Sequence, residues 1–318
     1  MLVMSIWNRL TAIFGTVVLV GVIINIILIF VEKYNYSRKI KAIETSEAVG
    51  SDRGDEAVRA LRRIGIITGA SSGLGAGYAG RIDRDADKYD IDELWLFARN
   101  KERLEAAAKT LRHPVRLFTM DLAEELNIDK FEEMLKSFSA DAGPFKISLL
   151  INCAGYGRYG SSEEIGRKEE CRMIDVNDKA AISLTNAVLP YMHAGSRIVE
   201  ICSVAAFHPI PLFNAYAASK SLLYTYSRAL RIELLKKGIS VTAVCPYWVK
   251  DTAFIETATG EKRKVFLPSK TKSVVRISLW DIRKRHAIST PGIMSTIDRF
   301  FAGLIPDEVL GHIMSKFL

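Results

Sequence analysis

The chain has 318 residues, of which 49% are hydrophobic and 25% are charged. This length allows one sizeable core with short appendages, because an α/β unit of roughly 250 residues commonly folds as one domain. A formal net charge of +8 raises the question of nucleic-acid binding. The basic residues are spread along the chain, with higher density after the N-terminal apolar run, at 261–264 and at 283–285. We therefore expect attraction to anionic lipid headgroups or a merely solvated surface, and no nucleic-acid partner.

The four cysteines, Cys153, Cys171, Cys202 and Cys245, are scattered without metal-ligand spacing. Three of them lie in or beside apolar segments that are typical of strands. Such positions favour small apolar core residues in a reducing compartment. We predict neither a metal site nor disulfides.

The first predicted element is an apolar run at residues 10–31 that contains no charged side chain. A helix of that length rises about 33 Å, enough to cross a hydrocarbon core of about 30 Å. We predict a transmembrane anchor there, preceded by a short tail at 1–9. A cleavable signal peptide and a buried core helix are the alternatives.

The charges that flank this run indicate its orientation. Lys33, Arg38, Lys39 and Lys41 follow the run, whereas Arg9 is the only basic side chain before it. Basic residues collect on the cytoplasmic side of membrane spans. We therefore expect a single-pass membrane protein whose catalytic domain faces the cytoplasm.

The rest of the chain divides into a linker, a large domain and an extension. Residues 32–63 are charged and weakly amphipathic, which predicts a juxtamembrane helix or linker. From 64 to 290, apolar runs alternate with helical patterns, which predicts right-handed βαβ crossovers in a doubly wound parallel sheet. The apolar runs are 64–67, 93–97, 115–118, 147–151, 197–201, 239–245 and, more weakly, 286–290.

The first of these runs leads into a glycine-rich turn and then into a helical stretch. A strand, a turn and a helix N-terminus present backbone N–H groups and a positive dipole end to a phosphate. We predict that the turn holds a dinucleotide pyrophosphate, with a tight strand-to-helix turn as the alternative. The predicted contacts are Gly69, Ser71, Ser72, Gly73, Leu74 and Gly75.

A tyrosine and a lysine four residues apart, Tyr216 and Lys220, follow a serine, Ser203, at the end of an apolar run. On a helix this spacing places the phenol and the ammonium on one face, about 6 Å apart at their Cβ atoms. The cation can then lower the pKa of the phenol, which makes it an acid for protonating a carbonyl. The pair alone is weak evidence, because the spacing occurs by chance on many amphipathic helices.

Taken together, these motifs resemble the classical short-chain dehydrogenase/reductase family over residues 63–251. Thr68–Gly75 matches the family's cofactor turn, and Asn152–Gly155 matches its Asn-Asn-Ala-Gly motif with Cys153 for the second Asn. The resemblance implies a Rossmann-type sheet of about seven parallel strands and hydride transfer to or from a nicotinamide. It also implies a catalytic tetrad of Asn177, Ser203, Tyr216 and Lys220.

The resemblance gives each of these residues a role. Tyr216 protonates the substrate carbonyl, and Ser203 orients that carbonyl. Lys220 lowers the pKa of the phenol and holds the nicotinamide ribose, while Asn177 positions a water in the proton relay. Tyr216 and Lys220 are thus cofactor contacts as well. Further expected cofactor contacts are Asp121, Leu122, Asn152, Ala154, Gly155, Pro246, Val249 and Thr252.

The end of the second strand indicates the choice between NAD and NADP. In Rossmann-type sheets an acidic side chain there favours NAD, whereas an arginine favours the 2′-phosphate of NADP. This chain has Arg99 at that place and no acid at the strand end. A guanidinium offers a planar, permanently charged fork to a phosphate. We predict NADP(H); an arginine that faces solvent or pairs with Glu102 is the alternative.

The segment after the sixth predicted strand departs from the family pattern. Pro246–Thr252 stands where the family has Pro-Gly-x-Val-x-Thr, so that Tyr247 replaces a glycine near the nicotinamide and Thr252 is displaced by one. This variant is similar to the membrane-anchored 17β-hydroxysteroid dehydrogenase and very-long-chain 3-oxoacyl-CoA reductase branch. The segment Pro209–Leu212 and the predicted anchor are similar to that branch as well.

The residues expected at the rim of the substrate cleft are mostly apolar or aromatic. They favour a large hydrophobic carbonyl or alcohol, such as a steroid or a long-chain 3-oxoacyl thioester. The alternatives are a reductase of small or diverse carbonyls and a membrane-tethered nicotinamide-binding scaffold without turnover. We expect substrate contacts at Ser203, His208, Phe213, Tyr216, Tyr247 and Trp248, with Phe207, Ile210, Leu212 and Phe254 also near the rim.

The final stretch, residues 291–318, has the apolar spacing of one or two short amphipathic helices. We expect core packing for its apolar face; a cap over the cleft, a dimer contact and the membrane interface are the alternatives. The resemblance allows a homodimer or homotetramer through the helices that carry Asn177 and Tyr216.

Overall fold

A computed structural model gives the fold. Within the part of the chain that it describes, no helix is long and apolar enough to cross a membrane. The predicted tail at 1–9 lies outside the described residues, and so does the predicted anchor at 10–31 apart from four isolated positions. The described residues are 34–43, 61–141, 143–261 and 265–314, with 16, 20, 27, 31 and 45 as isolated positions.

Seven parallel strands form one sheet in the order β3-β2-β1-β4-β5-β6-β7, which confirms the predicted Rossmann-type α/β fold. The strand order reverses between β1 and β4. A ligand crevice forms at such a point, outside the carboxyl ends of the strands. The strands are β1 (Arg62–Thr68), β2 (Glu93–Ala98), β3 (Val115–Thr119), β4 (Phe145–Asn152), β5 (Arg197–Ile201), β6 (Ser240–Val244) and β7 (Ile288–Ser289).

Helices cover both faces of the sheet. A single π-helical turn at Asp175–Lys179 interrupts one long helical run. The helices are α1 (Gly73–Arg84), α2 (Lys101–Ala108), α3 (Glu125–Asp141), α4 (Ser162–Ile165), α5 (Arg167–Ile174), α6 (Ala180–Val188), α7 (Asn214–Glu233), α8 (Phe254–Thr259), α9 (Thr271–Arg283), α10 (Ile293–Ala302) and α11 (Asp307–Met314).

Strand β2 shows how the sequence produces two cores. All six of its residues are buried, and the five that follow Glu93 form a continuous apolar run, as in central parallel strands. Trp95 and Phe97 point to the face covered by α3, where both rings make edge contacts with Phe131. Leu94 and Leu96 point to the opposite face, which α1 and α9 cover. Full burial of such a side chain contributes about 1.5–3 kcal/mol, so the alternation fixes the register of the strand.

Residues 34–43, part of the predicted linker, form a helical segment that packs against the large domain. Ile40 is fully buried, and the Tyr36 hydroxyl donates a hydrogen bond to the Ile239 carbonyl at 3.4 Å. The Arg231 guanidinium lies 3.3 Å from the centroid of the Tyr36 ring. Because Ile239 directly precedes β6, this segment lies at the amino edge of the sheet, opposite the crevice.

The expectation of core packing is wrong for the apolar face of α10, whereas on α11 it holds for Leu310, which is buried. Ser295 is the buried side chain of α10, and its hydroxyl accepts a hydrogen bond from the Tyr247 N–H at 2.9 Å. The polar face of α10 thus packs on the domain. Its Ser295 hydroxyl bonds to the Tyr247 N–H, and its Asp298 carboxylate bonds to His208. The exposed apolar residues of the extension are Ile293, Ile297, Phe300, Phe301, Leu304, Val309 and Ile313.

Candidate active site

The glycine-rich turn between β1 and α1 has a backbone that other residues would not adopt. Gly69 and Gly73 have φ angles of +65° and +54°, in the left-handed region that favours glycine. A Cβ atom at Gly75 would lie 2.2 Å from the Gly69 carbonyl oxygen. The first turn of α1 therefore lies directly against the loop, at the N-terminus where a helix binds phosphate groups.

A side chain that the sequence reasoning did not single out fixes this turn to the next strand. The buried Thr68 hydroxyl accepts hydrogen bonds from the N–H groups of Cys153 and Ala154, at 2.8 and 2.9 Å. Thr68 ends β1, and the two N–H groups follow β4. The threonine thus joins the carboxyl ends of both strands at the point where the strand order reverses.

A cleft of about 380 Å³ opens along this edge of the sheet. Nearly every predicted cofactor and substrate residue lines it; the exceptions are Asn152 and Asn177, which lie behind its wall. The predicted residues in the lining are Gly69, Ser71, Ser72, Gly73, Leu74, Gly75, Arg99, Asp121, Leu122, Ala154, Gly155, Ser203, His208, Phe213, Tyr216, Lys220, Pro246, Tyr247, Trp248, Val249 and Thr252.

Ser203, Tyr216 and Lys220 meet in the middle of the cleft, and each is at most 9% exposed. Ser203 follows β5, where its hydroxyl accepts a hydrogen bond from the Ala205 N–H at 3.2 Å. Tyr216 and Lys220 lie one turn apart on α7, and the Lys220 ammonium is 5.8 Å from the centroid of the tyrosine ring. The same ammonium donates to the Ile201 carbonyl at 3.0 Å, which holds it against the end of β5.

The pKa of Tyr216 differs from the expectation drawn from the sequence. Burial raises the pKa of the phenol above its ordinary value, and the hydrogen bond with Ser203 offsets part of this rise. Lys220 is not among the groups that lower it. Burial thus keeps the phenol protonated and makes it a weaker acid than a free tyrosine, so the prediction that Lys220 lowers its pKa is not confirmed.

Asn177 holds the loop that follows β4. Its amide donates to the Tyr156 carbonyl at 2.9 Å and to the Ser219 hydroxyl at 3.0 Å, and its side-chain oxygen accepts from the Tyr156 N–H at 2.9 Å. A Cβ at Gly155 would lie 2.9 Å from that oxygen. The Asn177 side chain therefore positions the backbone of 155–156 beside Lys220.

Aromatic side chains form the wall opposite the glycine-rich turn. The Phe213 and Tyr216 ring centroids are 4.7 Å apart, and Phe213 also lies 5.9 Å from Trp248. Phe254 lies 5.4 Å from Tyr216. Ile210 completes this apolar wall. Two residues expected at the rim lie elsewhere: Phe207 packs on Tyr224, and Leu212 is exposed outside the cleft.

His208 lines the cleft, but both of its ring nitrogens have protein partners. Nε2 lies 3.1 Å from an Asp298 carboxylate oxygen, and Nδ1 lies 3.2 Å from the Pro209 carbonyl oxygen. The carboxylate raises the pKa of His208, against the opposing effect of burial. Asp298, which the sequence reasoning missed, also lines the cleft. The pair therefore ties α10 to the loop that leads into α7.

On the cofactor side, Arg99 is exposed at the end of β2 and lines the cleft. Among the described residues no acidic side chain forms an ion pair with Arg99, and Glu102 is therefore not its partner. Asp121 is held by ion pairing with Arg172, and its Oδ1 accepts from the Ala123 N–H at 3.1 Å.

The segment that departs from the family pattern still reaches the turn. The Thr252 methyl would lie 3.4 Å from a Cβ built on Gly73, and the Thr252 hydroxyl donates to the Val249 carbonyl at 2.9 Å. Tyr247 is half-buried, and its ring lines the substrate side. The displacement of Thr252 by one position therefore leaves it beside the glycine-rich turn.

These residues fit a nicotinamide dinucleotide. The turn leads into the N-terminus of α1, the space beside Gly155 excludes a Cβ, and the buried ammonium of Lys220 donates to the Ile201 carbonyl at the end of β5. Within the described residues there is no cluster of three or more candidate metal ligands. The turn, the space beside Gly155 and the position of Lys220 are the features that suit the cleft to a dinucleotide.

The model of the short chain dehydrogenase family matches residues 63–263, and the chain belongs to that family. An uncharacterized oxidoreductase of Staphylococcus epidermidis is 30% identical over 206 residues, which cover 64% of this chain and 85% of that protein. The family assignment therefore agrees with the sheet, the turn and the three residues that meet in the cleft.

Two further similarities bear on cofactor and substrate. The very-long-chain 3-oxoacyl-CoA reductase of Anas platyrhynchos is 28% identical over 256 residues, covering 79% of this chain and 74% of that protein. A short-chain dehydrogenase from Sphingobium yanoikuyae, solved in complex with NADPH, superposes with a TM-score of 0.65 at 28% identity. That alignment covers 80% of this chain and 96% of the solved one.

Proposed function

We propose that this chain is an NADP(H)-dependent oxidoreductase that reduces the carbonyl, or oxidises the hydroxyl, of a hydrophobic substrate. The observation that carries the proposal is the meeting of Ser203, Tyr216 and Lys220 between the glycine-rich turn and an aromatic wall. Steroid ketones and long-chain 3-oxoacyl thioesters are the substrate classes that such a wall favours. The similarity to a 3-oxoacyl-CoA reductase supports the second class.

In this proposal the residues divide the work of proton transfer. A bound nicotinamide supplies or accepts the hydride. Ser203 donates a hydrogen bond to the carbonyl oxygen and orients it, and Tyr216 gives its proton to that oxygen as negative charge develops. The buried ammonium of Lys220, one turn from Tyr216 on α7, would hold the ribose of the bound nicotinamide. Asn177 holds the loop at 155–156 in place.

Arg99 supports the preference for NADP(H). Its guanidinium has no acidic partner in the described part of the chain, and charge-assisted bidentate hydrogen bonds are the strong ones for a phosphate. The NADPH bound in the solved Sphingobium enzyme is consistent with this preference.

We further propose that residues 10–31 anchor the protein in a membrane with the catalytic domain in the cytoplasm. The uncharged apolar run and the basic residues that follow it support this proposal. Protease protection of isolated membranes tests this topology.

We also propose a homodimer or homotetramer that forms through the helices that carry Asn177 and Tyr216. Chemical crosslinking tests this oligomeric state.

The test of the reaction is NADPH oxidation by detergent-solubilised protein, run in parallel with NADH. Steroid ketones, long-chain 3-oxoacyl thioesters and small ketones form the panel. We expect turnover on lipid-like substrates with NADPH. Activity confined to small ketones would refute the substrate class, and NADPH binding without turnover on any ketone would favour a scaffold.

A further inference from the structure

Helix α10 and the turn that follows it present an apolar surface to solvent. Large apolar side chains recur there at the spacing of one helix face, and Phe300 and Phe301 are 52% and 46% exposed. An exposed apolar cluster of this kind marks a surface that contacts another molecule or a membrane. We call this cluster the apolar face of α10; its residues are Ile293, Ile297, Phe300, Phe301 and Leu304.

The opposite face of α10 belongs to the cleft. Asp298 lines the cleft and bonds to His208. Ser295 accepts a hydrogen bond from the N–H of Tyr247, a residue of the cleft lining. A helix with its side chains is about 10 Å across, so the apolar face lies about that far from the substrate side of the cleft. Whatever covers the apolar face therefore lies beside the place where substrate enters.

The chain that follows the proposed anchor reaches the domain on the same side of the sheet. Residues 34–43 pack there, and the Tyr36 hydroxyl donates to the Ile239 carbonyl just before β6. The Tyr36 ring faces Arg231, whose guanidinium donates to the Arg285 carbonyl at 2.8 Å, just before β7. Because α10 follows β7, the attachment of the anchor and the apolar face lie at the two ends of one edge of the sheet.

The surface near the start of β7 has the composition of a membrane interface. Trp280 of α9 is 53% exposed, and its ring centroid lies 5.3 Å from that of His286, just before β7. The exposed Arg283 and Lys284 follow it in the chain. Tryptophan collects at the level of lipid headgroups, and basic side chains are attracted to anionic lipids. The edge at β7 thus has aromatic and basic groups at one end and the apolar face at the other.

We propose that the apolar face of α10 lies in the surface of the membrane that holds the anchor, so that the substrate side of the cleft opens at the bilayer. This inference rests on the proposed function and narrows its substrate class to carbonyl compounds that dissolve in lipid. A bilayer is the occupant that the chain itself brings close, because the anchor would hold it beside β6 and β7. Contact with lipid removes the apolar side chains from water, and a lipid-dissolved ketone reaches Tyr216 without crossing water.

The first experiment measures the depth of α10 in the bilayer, without turnover. A nitroxide label is attached to the full chain at Phe300→Cys, in a Cys171→Ser background because Cys171 is the exposed native cysteine. The protein is reconstituted into vesicles of phosphatidylcholine and phosphatidylserine. Collisions of the label with oxygen, which dissolves in lipid, and with a water-soluble nickel complex report its depth. We expect the label to lie about 5–10 Å into the boundary between headgroups and acyl chains.

Leu126→Cys in the same background carries the control label. Leu126 is an exposed apolar residue of α3, which follows the edge strand β3 at the opposite side of the sheet. Its label should collide with the nickel complex as a label in water does. Equal access of the nickel complex to positions 300 and 126 would overturn the proposal. Shielding of position 300 from both reagents would also overturn it, because a protein surface would then cover α10.

The second experiment compares lipid-dissolved and water-soluble ketones in the same vesicles. The double variant Phe300→Ser/Phe301→Ser removes two half-exposed rings, so we expect it to fold. KM for a steroid ketone should rise about fivefold or more, equivalent to about 1 kcal/mol, whereas KM for a small water-soluble ketone should change less than about twofold. Leu126→Ser should change neither value. An unchanged KM for the steroid ketone in the folded double variant would refute entry from the bilayer.

The outcomes separate this inference from the proposed function. If wild type reduces no ketone, the proposed reaction fails, and the depth of the label still decides where α10 lies. If the chain does not float with the vesicles, the anchor fails and this inference fails with it. If the chain floats and the label at 300 lies in water, the anchor stands and this inference alone is refuted. Should the double variant fail to fold, Ile293→Ser, at a side chain that is 71% exposed, carries the same kinetic test.

Discussion

On its cofactor side the cleft is built around one continuous turn, Gly69–Gly75, to which other segments add single contacts, whereas its substrate side has no such continuous segment and is assembled from residues far apart in the chain. The turn owes its shape to backbone conformation and to a contact in which no Cβ fits. The substrate wall depends on side-chain packing, with Phe213, Trp248 and Asp298 drawn from three segments. The difference predicts that small changes to the turn weaken cofactor binding strongly, while changes to the substrate wall shift substrate selectivity.

Tyr216→Phe should have the largest effect, because it removes the hydroxyl group that protonates the substrate carbonyl. We expect kcat to fall about 10²- to 10⁴-fold, the usual contribution of general acid catalysis. NADPH affinity, measured by fluorescence titration, should stay within about twofold of wild type, because the ring and its packing on Phe213 remain. Near-normal turnover would show that another group protonates the substrate.

Gly75→Ala tests the cofactor side. The added Cβ would lie 2.2 Å from a backbone oxygen, so the turn must move. Overpacking of this kind costs about 1–3 kcal/mol, and we expect the Kd for NADPH to rise about 10- to 100-fold. Isothermal titration of the variant measures that Kd.

Gly80 offers a matched control on the same helix, because nothing lies within 4 Å of a Cβ placed there. Gly80→Ala should stabilise α1 by about 0.5–1 kcal/mol and leave the Kd unchanged. Equal loss of affinity in both variants would mean that α1 as a whole, and not the contact at Gly75, determines binding.

Arg99→Ala should change the choice of cofactor more than the reaction. Loss of a charge-assisted hydrogen bond costs about 1.5–3 kcal/mol, so kcat/KM with NADPH should fall about tenfold or more. The value with NADH should change less than about twofold. Arg103→Ala, on the exposed first turn of α2, is the control. A parallel loss with both cofactors would show that Arg99 does not read the 2′-phosphate.

The difference between continuous segments and contacts between distant segments also explains what could be predicted from the sequence. All seven strands are confirmed, because parallel strands buried on both faces give apolar runs that stand out between helical patterns. The residues of the glycine-rich turn are close in sequence, and so are Tyr216 and Lys220. Their spacing alone therefore predicts how they lie relative to one another. The boundaries were less accurate: β1 begins at Arg62 and β4 at Phe145, each two residues before the predicted run.

Contacts between distant segments could not be predicted. Asp298 meets His208 across 90 positions, and Thr68 meets Cys153 across 85, so no spacing in the sequence links them. The apolar spacing of α10 correctly indicated a helix, but the face it buries is polar because Ser295 and Asp298 find partners on the domain. Burial raises the pKa of Tyr216, and the four-residue spacing between Tyr216 and Lys220 does not indicate how deeply the tyrosine is buried.

The smallest expected effect belongs to the substrate wall, at the pair of His208 and Asp298. Asp298 raises the pKa of His208, and Asp307 of α11 adds to this rise. The pair therefore contributes stability fully below the ordinary histidine pKa of about 6.5 and loses it as pH rises through the higher folded value. Removing it with His208→Gln should lower Tm at pH 6, and the difference from wild type should shrink toward pH 9.

The same variant should alter substrate selection because α10 loses its tie to the loop before α7. Because neither side chain acts on the reacting atoms, we expect KM for bulky ketones to change about fivefold or less, equivalent to about 1 kcal/mol, with NADPH affinity unaffected. Asp298→Asn should reproduce the effect, since it removes the charge and keeps the shape. A pH-independent Tm difference, or a larger loss of NADPH than of ketone affinity, would place the pair outside the substrate wall and would remove the contrast between the two sides of the cleft.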